Sequence, residues 1–173
     1  DTVIFLPFIK AISKKYSVPV DILVRENSKA EQFLSDTKYI KNIHILDRND
    51  RSTGNHDGLF GAINLINELK NKNFNKIFIF NSSLRFNLIA KLSGIKEVFQ
   101  YPLFKKDKQH ITETAKLFLK DAIGINNFDD SEIAIEKKYA DQVISKFNLN
   151  KDNTNILLGI GGSGPTKRIP AKI

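Results

Sequence analysis

Two hydrophobic periods alternate along this chain, and the alternation narrows the fold more than any other feature. Short runs rich in branched residues, "VPVDILV" (18–24), "NIHIL" (42–46), "KIFIF" (76–80) and "NILLGI" (155–160), read as buried strands. Between them apolar residues recur at helical spacing. Phe5, Phe8, Ile9, Ile12 and Tyr16 share one face, and Leu59, Ala62, Ile63, Ile66 and Leu69 form a second stripe. Phe86, Ile89, Ala90 and Leu92 mark a third helix ended by Gly94, and Ile111, Ala115, Phe118 and Ala122 a fourth ended by Gly124. Tyr139, Ala140, Val143, Ile144 and Phe147 mark a fifth.

Strands and helices in alternation imply a mostly parallel sheet with helices on both faces, a Rossmann-like doubly wound α/β fold. The first helix has no strand before it, so a strand is expected ahead of Asp1. The polar stretch "GINNFDDSE" (124–132) reads as a linker. Residues 1–127 then form one Rossmann-like domain, and 128–173 the linker and the beginning of a second α/β domain. Both ends read as cut: the chain has no methionine, and it stops at "KRIPAKI", where a helix is due to start.

Composition trims the list of functions. With no cysteine there is no disulfide, thiolate metal site or cysteine nucleophile. His44, His56 and His110 have no ligand neighbour at helical spacing, so no metal site is expected. The net charge of +8 favours an anionic partner. The lysines are spread over every helix without a basic run interleaved with aromatics, which argues against nucleic acid. No uncharged run reaches the roughly 18 residues that span a bilayer, and no signal peptide is legible.

The stretch "GIGGSGPTKRIP" (159–170) is the strongest candidate for chemistry. Gly159, Gly161 and Gly164 satisfy the dinucleotide spacing, but Pro165 stands where a helix should already run. A nucleotide P-loop fails because Gly164 is followed by Pro-Thr-Lys rather than Lys-Ser/Thr. What remains is a phosphate cradle. Gly162 and its neighbours let backbone N–H groups approach an anion, Ser163 and Thr166 add hydroxyls, and Lys167 adds charge. A structural turn with incidental cations is the other reading. Asp1, just before an apolar helix, is either an N-cap or a general base at the end of a first strand. Arg85, after the strand at 76–80, is a candidate for an anionic acceptor or an exposed helix-start residue.

Three stretches resemble the heptosyltransferases of lipopolysaccharide core synthesis, the ADP-heptose family (glycosyltransferase family 9) with the GT-B fold. They are "DTVIFLPFIKAISKKYSVPVDILV", "NKIFIFNSSLRFNLIAKLSGIKEVFQY" and "GIGGSGPTKRIP". The resemblance covers the whole chain but about half of a family member. Ile169 stands where a tryptophan is usual, and Asn81 where an acid or another polar residue is commoner. The resemblance implies a metal-independent glycosyltransferase without a cofactor, using a nucleotide sugar such as ADP-heptose as donor. It implies an anionic glycolipid acceptor, and a cytoplasmic protein at the inner-membrane surface. Asp1 would be the base, and Lys167 would bind the donor phosphates with Ser163 and Thr166. This piece alone would be inactive. The other class left open is a non-catalytic Rossmann-like nucleotide-binding or scaffold protein.

Overall fold

The structure, a computed structural model, describes residues 2–49, 52–102, 110–150 and 154–156. Two compact units divide the chain, Asp1–Ala134 and Ile135–Ile173.

The first unit opens with helix α1 (Thr2–Tyr16), followed by strand β1 (Val20–Arg25), the short α2 (Glu31–Leu34) and β2 (Ile40–Leu46). Then come α3 (Gly58–Lys72), β3 (Lys76–Ile79), α4 (Leu84–Leu92), β4 (Glu97–Gln100) and α5 (Ile111–Ile123). The second unit contributes α6 (Lys137–Lys146). β1 pairs with β2 in parallel, and β3 with β4 likewise. Each parallel pair is joined through a helix, as a parallel connection requires. The fold is therefore α/β with parallel strands, in agreement with the alternation of periods. α2 is a single turn of four residues, and β4 has only Val98 and Phe99 apolar between Glu97 and Gln100, so neither leaves a periodic signal.

Strand alternation sorts the core. Phe78 and Phe80 pack with Phe8, Ile12, Phe118 and Leu119 from α1 and α5, while Ile77 and Ile79 pack with Ala90, Ile95 and Phe86 on the α4 side. The period of two sends successive residues to opposite faces. α1 serves both ladders: Leu6 joins Ile22 of β1, and Phe8 joins the β3–β4 aromatics. Phe78 stacks on Phe99 of the neighbouring strand at 4.8 Å.

Three expectations change. In α3 the buried face is Gly61, Leu65 and Leu69, with Ala62 and Ile66 packed beside it; of the expected stripe, Leu59 and Ile63 are exposed instead. The helix holds more apolar residues than one core face can take, so spacing alone fits two faces. In α4, Ile89 and Ala90 are buried but Leu92 is exposed. The segment read as a solvated linker lies against α1. Phe128 meets Phe8 edge-on at 5.1 Å, and Asp129 pairs with Lys10 and Lys14.

α5 ends where Gly124 adopts φ 70° and its N–H bonds Lys120 O, a left-handed conformation that glycine takes without strain. The expected strand at 155–160 falls largely outside the described residues.

Candidate functional site

In an open parallel sheet, ligands gather at the carboxyl ends of the strands. Here the strands form two parallel pairs, and three of the four loops at their carboxyl ends carry the polar network: the one leaving β2, the one between β3 and α4, and the start of the segment after β4.

The loop after β2 is organised by two carboxylates. Asp57 accepts from Arg48 Nε at 3.0 Å, from the Asn49 N–H at 3.1 Å and from the Gly54 N–H at 3.0 Å. These donors favour the ionised form, the Asn49 N–H most and the Arg48 guanidinium next, and hold the carboxyl below its ordinary range. Asp57 stands at the N-terminus of α3 but its side chain makes no cap bond there; the loop uses it instead. Asp47 accepts from the Asn55 N–H at 2.8 Å.

Buried His56 receives the Asp47 N–H on Nδ1 at 3.0 Å. Its Nε2 therefore carries the proton in the neutral ring and donates to Glu68 Oε1 at 3.1 Å. The backbone of His56 lies so close to α3 that a Cβ on Gly61 would come within 2.2 Å of its carbonyl carbon.

Arg85 belongs to this assembly. It is half-buried in the first turn of α4, and its Nη2 donates to His56 O at 2.8 Å. Its Nε is buried and has no partner among the described residues. The bond joins the N-terminal ends of α3 and α4 across the strand edge. Beside it, Gln100 donates to Asn81 O at 2.7 Å and Ser83 O at 2.9 Å, tying the end of β4 to the β3–α4 loop. Tyr101 packs its ring on Phe80 and Phe118. Burial pushes its phenol up to about 12, so it stays neutral at physiological pH.

A separate groove of about 330 Å³ opens between α1, α5 and the 128–131 segment. Thr112, Lys116, Asp130 and Ser131 give it polar walls over Ile4 and Pro7. None of the candidate site residues taken from the sequence is among its described lining.

Of those residues, Arg85 is the one within the described structure. Asp1, Gly162, Ser163, Thr166 and Lys167 lie outside the described residues. The Asp47–His56–Asp57 loop was not picked out from sequence; its signal is the run Asn-His-Asp-Gly between a strand and a helix. Among the described residues no three histidine or carboxylate side chains converge as a metal-ligand set.

No protein family model matches the chain, and no curated protein matches it. Among solved structures it is similar to the glycosyl transferase family 9 protein from Veillonella parvula DSM 2008, with a TM-score of 0.73 and 16% identity. The match covers 98% of this chain and 53% of the other, so the chain spans about half the length of that protein. At this identity the likeness is one of architecture: the chain has an α/β fold similar to that of part of a family 9 glycosyl transferase.

Proposed function

We propose that the chain is part of a metal-independent glycosyltransferase of the GT-B kind. It would move heptose from ADP-heptose to a lipopolysaccharide core or related glycolipid. The observation that carries this reading is the likeness of fold, over 98% of the chain, to a family 9 glycosyl transferase. The cradle sequence at 159–170 supports it from the donor side.

The chemistry makes two demands. The acceptor hydroxyl loses a proton as it attacks, and an aspartate with an ordinary pKa of about 3.9 is ionised at neutral pH and accepts it. Asp1 takes that role. The leaving diphosphate develops charge, which Lys167, the Ser163 and Thr166 hydroxyls and the backbone N–H groups around Gly162 stabilise. Arg85, fixed by His56 O, serves the anionic acceptor. The basic chain suits a protein working beside acidic glycolipid at the inner-membrane surface.

The test uses the complete protein with nucleotide-heptose and a lipid A–core acceptor, with chelator present throughout. A product heavier by one heptose supports the reading. Transfer that disappears with chelator rejects metal independence. Nucleotide binding without transfer from any nucleotide sugar favours a non-catalytic nucleotide-binding protein.

A further inference from the structure

α3 carries an apolar face that the core does not use. Leu59 is 82% exposed, Phe60 85% and Ile63 52%. At about 100° per residue these three fall within roughly 100° of arc, and the buried Gly61–Leu65–Leu69 face lies elsewhere on the helix. Continuing the exposed line by helical steps leads through half-buried Ile66 to Lys70. The stripe is thus apolar over its first turns and basic at its end.

α4 packs against α3 through Ile89 with Leu65 and Leu69, and the Arg85–His56 bond holds their N-terminal ends together. It too leaves leucines outside: Leu84, Leu88 and Leu92 are exposed. Across both helices there are four cations, Lys70, Lys72, Arg85 and Lys91, against one acid, Glu68. That acid is bonded to His56.

We infer that the outer face of α3 and α4 docks on an anionic lipid surface, with Leu59, Phe60 and Ile63 entering the headgroup–acyl boundary and Lys70 and Lys91 meeting the headgroups. Exposed leucine and phenylalanine beside unopposed lysines is the chemistry of an interfacial helix. No described helix is long and apolar enough to cross a membrane, so the face lies on the bilayer. The apolar turns sit at the N-terminal end of α3, beside the carboxyl edge of the strands, where a lipid-borne acceptor would be presented. The inference rests on the glycolipid reading for its biological sense, but its test does not involve sugar transfer.

The test is co-sedimentation of the full protein with vesicles of phosphatidylglycerol in phosphatidylcholine, against phosphatidylcholine alone. Binding is expected to the anionic vesicles and to fall with salt. Leu59→Ser with Phe60→Ser should weaken it roughly 10- to 100-fold, and each of Lys70→Gln and Lys91→Gln about fivefold. Lys116→Gln, on α5, should leave it unchanged. All five positions are exposed, and circular dichroism checks the fold of each variant. Equal binding by wild type and the Leu59/Phe60 variant overturns the inference. So does a wild-type dimer in the absence of lipid that the same variant abolishes, which would assign the face to a second copy. Transfer in detergent without vesicle binding would sink the docking face alone; vesicle binding without transfer would sink the enzyme reading alone.

Discussion

The Ser131 hydroxyl donates to the Val3 carbonyl at 3.1 Å, across 128 residues of sequence. Val3 is four residues before Pro7, which lies inside α1. A proline has no N–H, so the carbonyl one turn earlier loses its helical partner. Ser131 supplies the missing donor. The segment after α5 is pinned to α1 at this point, next to the Asp129 ion pairs.

Ser131→Ala should cost about 0.5–1 kcal/mol in urea unfolding, the worth of an ordinary hydrogen bond. Pro7→Ala restores an N–H to the helix and should stabilise. In the Pro7→Ala background, Ser131→Ala should cost almost nothing, because Val3 then has its own helical donor. An equal cost in both backgrounds would show that the hydroxyl does something else.

The Lys14 and Lys10 ammonium groups, Lys14 foremost, hold the Asp129 carboxyl below its ordinary value, and the Asn49 N–H with Arg48 does the same for Asp57. Groups of this kind bind fewer protons folded than unfolded. Their stabilisation is full above the unfolded value of about 4 and is lost as pH falls through the folded values. Thermal unfolding followed from pH 6 downward should show stability dropping below about pH 4. Asp129→Asn should flatten that drop; an unchanged acid slope would mean that the pairs are not formed in solution.

Gly61→Ala separates helix propensity from packing. Alanine within a helix is favoured over glycine by roughly 0.5–1 kcal/mol. Here its Cβ would meet His56 backbone at 2.2 Å, so we expect a net loss of about 1–3 kcal/mol, typical of overpacking. Denaturant midpoints decide, and a gain in stability would place α3 farther from the loop.

In the complete protein, Asp1→Asn should preserve donor binding and slow transfer by about 10²–10⁴-fold. An unchanged turnover number would leave Asp1 as an N-cap.

Lys167→Ala should weaken nucleotide-diphosphate binding by about 10- to 150-fold, since a charge-assisted hydrogen bond is worth roughly 1.5–3 kcal/mol. Lys167→Arg should do less harm, because the charge remains. Calorimetry with the free nucleoside is the control. Equal losses for nucleoside and diphosphate would make Lys167 structural.

The amino-acid pattern by itself determined that this is an α/β protein. Branched runs at 18–24, 42–46 and 76–80 became β1, β2 and β3, and glycines 94 and 124 followed the ends of α4 and α5. These are local properties, fixed by side-chain period and backbone freedom within a few residues. Tertiary structure alone decided which side of α3 is inside. Leu59 and Leu65 are equally apolar, but Leu65 packs with Leu46, Leu69 and Ile89 beside the close approach of Gly61 to the His56 backbone, and Leu59 is left at the surface. It alone also brought Arg85 to His56 and Ser131 to Val3, because each bond satisfies a backbone carbonyl whose partner lies far along the chain. Such pairings depend on where the sheet and helices bring distant segments together, and no local spacing records them.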